Sequence, residues 1–109
     1  MLFRSKNISN LLMRVGITPD KKGFLYLERA ALLMQHDPFI SLKNAYKQIA
    51  SEYKTNSCTI DSSIRNVIHC AHFNGKLARL NDEIGIEVID EYCPSNKVFV
   101  SYIIRCINT

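Results

Sequence analysis

No apolar run in the 109-residue chain approaches the roughly 20 residues needed to cross a bilayer, so no membrane span is expected. The opening Met1-Leu2-Phe3-Arg4-Ser5-Lys6 turns polar too soon for a secretory signal. No C-x-x-C pair links Cys58, Cys70, Cys93 and Cys106, which points to free thiols in a reducing compartment and a cytoplasmic protein. Only four glycines are present, and none builds a phosphate-cradling loop. No nucleophile has a base at a supporting spacing, and no carboxylate pair stands in a catalytic one. No enzyme is therefore expected, and no catalytic residue or cofactor is assigned. Clean period-two alternation is also nearly absent, which disfavours a sheet.

What is present is helical periodicity. With 47% hydrophobic and 22% charged residues, the chain suits one domain with a modest core and is too short for two. Ile8, Leu11, Leu12 and Val15 form one stripe that stops at Gly16, with Ser5 the expected N-cap. A second helix over 24–36 turns Leu27, Ala30, Ala31 and Met34 inward and ends near Asp37-Pro38; its wide apolar face makes it central. A third, over 42–53, places Tyr46, Ile49, Ala50 and Tyr53 on one face. A fourth, over 57–73, buries Ile60, Ile64, Val67, Ile68 and Ala71 and is capped by Asn74-Gly75. A short helix over 77–83 and an extended hinge at 84–88 follow, and Pro94 is expected at the first position of the last helix. That helix carries Val100, Ile103, Ile104 and Ile107, a stripe that packs either on its own domain or on the same helix of a second chain. The expectation is an all-α single domain of about six helices.

The third and fourth helices, joined by a short polar turn, describe a helix-turn-helix over about 45–73. At 100° per residue, the face of the fourth helix opposite its apolar stripe carries Thr59, Ser62, Arg65, Asn66 and His69. These types suit a major groove: Arg65 matches guanine, Asn66 matches adenine, and Ser57, Thr59, Ser62 and Ser63 match bases or phosphates. Lys47 and Lys54 stand beside them, and the amides of Ser57 and Cys58 offer a helix N-terminus to phosphate. The blander alternative is a solvated helix face. Lys and Arg number 14 against 10 Asp and Glu, a net charge of +4; residues 1–60 hold nine basic and four acidic side chains, residues 61–109 five and six. That asymmetry suits an anionic partner.

Three strings narrow the reading: Val15-Gly16-Ile17-Thr18-Pro19-Asp20-Lys21-Lys22-Gly23-Phe24-Leu25-Tyr26-Leu27, then Ile49-Ala50-Ser51-Glu52-Tyr53-Lys54-Thr55, then Ile64-Arg65-Asn66-Val67-Ile68. Together, and with a looser likeness at Ser95–Val100, they resemble the C-terminal DNA-binding effector domain of the sporulation master response regulator, stage zero sporulation protein A. The resemblance implies a six-helix domain whose third and fourth helices bind a promoter box in duplex DNA, often as tandem or dimeric copies, and which touches an RNA polymerase sigma factor. Acidic Asp82, Glu83, Glu87, Asp90 and Glu91 suit either that contact or simple solubility.

The chain departs from the family pattern in two places. It is expected to be one effector-like domain over 1–109 without the phosphoacceptor receiver domain. In the recognition helix, Thr59 and Ser62 stand where the family spends arginines, and Arg65 and Asp61 cancel over residues 57–74. Because neutralised phosphates supply most non-specific affinity, a second hypothesis is a protein-interaction module of the same fold with weakened DNA binding, acting on the parent regulator, on a sigma factor or as a dimer through the last helix. His69, Cys70 and His72 suggest a metal, but a tetrahedral site needs about four ligands, and packing is the default for His72 and Cys70.

Overall fold

The computed structural model describes residues 7–108. In chain order these form α1 (Ile8–Arg14), α2 (Lys22–His36), α3 (Leu42–Glu52), α4 (Ser57–Phe73), a 3-10 turn (Leu77–Arg79) that runs into α5 (Leu80–Ile84), and α6 (Asn96–Ile107). No strand occurs among the described residues. The all-α expectation holds, and the third and fourth helices fall where the periodicity places them.

Four helices begin where a short polar side chain satisfies an orphan amide. Asn7 accepts from the Asn10 amide at 2.7 Å, Ser41 from Asn44 at 3.1 Å, Asn56 from Thr59 at 2.9 Å and Ser95 from Val98 at 3.2 Å. Two expectations change accordingly. The cap of α1 is Asn7, and Ser5 lies outside the described residues. Pro94 precedes the cap of α6 rather than opening the helix, because the Ser95 hydroxyl takes the capping position.

α2 packs against α1, α3, α4 and α6, the central place its wide apolar face predicts. Phe24, Tyr26, Leu27, Ala30 and Ala31 are buried in it, and Met34 only borders the core. Near its start the backbone runs against α4. A Cβ at Gly23 would lie 2.4 Å from the Ser63 carbonyl oxygen and 2.7 Å from a Val67 methyl. The position needs glycine for space, since any side chain would pry the two helices apart.

α6 settles where its apolar stripe goes. Phe99, Val100, Ile103 and Cys106 are buried within the same globule, against α1, α2, α4 and α5, and Ile104 and Ile107 border it. The segment expected as a hinge is instead clamped. Asn81 of α5 accepts from the Val88 and Ile89 amides at 2.8 and 2.7 Å, and its amide donates to the Ile89 carbonyl at 3.0 Å. Ile89 is buried at the end of that clamp. The Cα radius of gyration, 13.2 Å, matches the roughly 13 Å of a compact domain this long.

Candidate nucleic-acid interface

α3 hands the chain to α4 through a four-residue turn, 53–56. Tyr53 caps α3, and Lys54 follows with φ of 55°. The Thr55 amide donates to the Ala50 carbonyl at 2.9 Å and the Lys54 amide to Ser51 at 3.4 Å, the Schellman pattern that closes a helix. Glycine is the usual residue at the left-handed position of that pattern; here a lysine occupies it and projects from the turn. Tyr53 does not join the buried face as expected. It is 46% exposed, and its ring meets Tyr26 edge-on with centroids 5.3 Å apart.

Ala45, Tyr46, Ile49 and Ala50 of α3 and Ile60, Ile64, Ile68 and Ala71 of α4 are buried, so the two helices brace each other through apolar contact. That burial leaves the opposite face of α4 to solvent. Thr59, Ser62, Arg65, Asn66 and His69 are all exposed along it, and Lys47 of α3 and Lys54 of the turn are exposed beside it. Ser57, in the first turn of α4, and Ser63 are half-buried. Ser63 lies on the flank that faces α2, its carbonyl beneath Gly23. The Thr59 hydroxyl donates to the Asn56 cap at 3.1 Å.

Charge at this face is organised by ion pairs. Arg29 of α2 forks onto Glu52 of α3 at 2.9 and 2.8 Å, which draws Glu52 below the usual carboxylate range and fixes one charge at the end of α3. Among the described residues Lys43, Lys47 and Lys54 have no ion-pair partner, so their charges face solvent unneutralised. Arg65 is held by Asp61, one turn earlier on α4. Asp61 is in turn held from α6: the Asn96 amide donates at 3.1 Å to its carboxylate, to its backbone carbonyl and to the Tyr46 hydroxyl. Asn96 is itself buried. Burial pushes the Tyr46 hydroxyl up to about 12, so it stays protonated.

The i, i+4 spacing of Asp61 and Arg65 is visible in the sequence, where it signals only that two charges cancel. Asn96 and Tyr46 leave no such signal, lying 35 and 15 positions from Asp61 along the chain. The two α4 histidines behave differently: His69 is exposed, whereas the His72 Nε2 sits 2.8 Å from the Asp90 carbonyl and donates to it, tying α4 to the clamped loop. No cluster of three metal-ligating side chains is found among the described residues.

A polar, exposed helix face braced by a preceding helix is the geometry of a helix-turn-helix reader, and one comparison with known proteins says which kind. A family model described as sporulation initiation factor Spo0A C terminal matches residues 8–107. The chain belongs to that family. The Spo0A C-terminal family is one of DNA-binding, transcription-regulating domains of sporulation control rather than a class of enzymes. The match spans α1 to the last turn of α6, so the whole helical globule is the family domain. No helix among the described residues is long and apolar enough to cross a membrane.

Proposed function

We propose that the chain is a sequence-specific regulator of transcription that lays α4 in the major groove of a promoter box. Arg65 and Asn66 read base edges, guanine through the guanidinium fork and adenine through the paired donor and acceptor of the amide. Thr59, Ser62 and His69 contact neighbouring bases. Lys47, Lys54, Ser57 and the first amides of α4 hold phosphates and fix register, with Ser63 supporting from the flank. The observation that carries the reading is the shared exposure of Thr59, Ser62, Arg65, Asn66 and His69 along α4, opposite its buried isoleucine stripe.

The test is Arg65→Ala. A bidentate arginine–guanine contact is worth about 1–3 kcal/mol of discrimination, so the variant should lose roughly five-fold or more of its preference for a duplex enriched from a random library by the wild-type chain. Circular dichroism should show the helical content unchanged. A folded variant that keeps the full preference would remove α4 from the reading.

A second reading, a protein-interaction module with residual DNA affinity, draws on the neutral balance of α4, where Arg65 is already paired with Asp61. Sedimentation of the chain alone and mixed with a sigma factor separates the two: a complex without duplex selectivity supports the module, and selectivity without a complex supports the reader.

A further inference from the structure

Arg65 does not stand free on the recognition face, and the means of its restraint is unusual for a surface ion pair. An exposed i, i+4 pair is worth little by itself, because both side chains sample many rotamers. Here one partner has lost that freedom. Asp61 accepts from the Asn96 amide through both its carboxylate and its backbone oxygen, each at 3.1 Å, and Asn96 is buried and anchored to the Tyr46 hydroxyl at 3.1 Å. One carboxylate oxygen, Oδ1, is taken by Asn96 and the other, Oδ2, meets the Arg65 guanidinium. Three helices, α3, α4 and α6, therefore converge on the direction in which Arg65 points.

Resting on the DNA-binding reading above, we propose that Asp61 is a positioning residue for base readout, held in place by Asn96 and Tyr46, and that it raises specificity by competing for Arg65. A lone phosphate contact exchanges one charge-assisted pair for another and returns little, so on a wrong sequence Arg65 stays on Asp61. A guanine edge offers two acceptors in one plane, matched to the guanidinium fork, and draws the arginine away. The carboxylate also repels phosphates near α4 and so suppresses sequence-independent binding.

Asp61→Asn tests this, because it removes the charge on a partly exposed side chain and leaves its shape. Affinity is measured by fluorescence anisotropy for the enriched duplex and for a scrambled duplex of the same length and composition. Asp61→Asn should bind the scrambled duplex about two- to five-fold more tightly, the order expected from releasing one exposed pair, with no matching gain on the enriched duplex. Asn96→Ala, which keeps the charge and frees the carboxylate, should leave scrambled-duplex affinity unchanged and weaken the enriched complex.

Action through Arg65 is checked by a double-mutant cycle. In an Arg65→Ala background, Asp61→Asn should no longer change the ratio of the two affinities. If the ratio changes as much in that background, or if Asp61→Asn moves neither affinity in the wild-type background, the positioning role is overturned. A wild-type chain that shows no preference for any duplex would overturn the DNA-binding reading itself, and the inference with it.

Discussion

Lys54 sits where helix-turn-helix turns favour a residue without a Cβ, at φ of 55°. A non-glycine residue in that region costs on the order of 1 kcal/mol, partly offset by the greater freedom of glycine in the unfolded chain. Lys54→Gly should raise stability to urea by about 0.5–1 kcal/mol and at the same time weaken duplex binding, lowering the salt slope by about 0.9 because one phosphate is no longer neutralised. Opposite signs on stability and binding would show a lysine retained for its charge. Tyr46 gives a pH test. Its folded value of about 12 lies above the ordinary 10, so the folded state holds the proton more tightly. The resulting stability is complete below pH 10 and lost as the pH rises toward 12. Urea midpoints taken at pH 9 and 11 should fall more steeply in the wild type than in Tyr46→Phe. The outward positions of α4 are legible in the sequence because 100° per residue separates Thr59, Ser62, Arg65, Asn66 and His69 from the isoleucine stripe. Ser63 has the chemistry of a reader, yet it lies at the seam with α2, since its flank depends on where a second helix approaches and periodicity within α4 does not record that. Asn96 is invisible in the sequence for the same reason.

At the scale of elements, the contact between α2 and α4 sets where the recognition helix lies. Gly23 allows the backbone of α2 to rest on the Ser63 carbonyl, and Phe24, Tyr26 and Leu27, which follow it in the same string, are buried in the core. Gly23→Ala should destabilise the fold by about 1–3 kcal/mol, as overpacking of a tight core contact does, read from the thermal midpoint. The helices themselves are readable because each has an apolar stripe and a polar start. Their ends are less so: α1 is capped by Asn7 rather than Ser5, and Pro94 stands outside α6, because serines and asparagines close together in sequence compete for one capping role. The stretch after α5 has the sequence of a hinge, since a single asparagine clamping a loop from seven residues away has no periodic signature. The strings that resemble the Spo0A family combine buried scaffold residues with exposed ones, Lys54, Arg65 and Asn66 among them. They specify the scaffold strongly and say less about which bases its outer face meets.

For the whole molecule, the question is whether a domain that spends little positive charge on its recognition helix still selects a sequence. Over 57–74, Arg65 and Asp61 cancel, and free positive charge at the interface comes from Lys43, Lys47 and Lys54 on α3 and the turn. Few phosphate contacts mean a shallow dependence on salt, and a larger share of affinity must come from base edges. The most direct measurement is fluorescence anisotropy of the purified chain against the enriched duplex and its scrambled counterpart, each at low and moderate salt. The account predicts that the enriched duplex is bound far more tightly and that this preference persists as salt rises. Equal binding of the two duplexes, abolished by moderate salt, would contradict it.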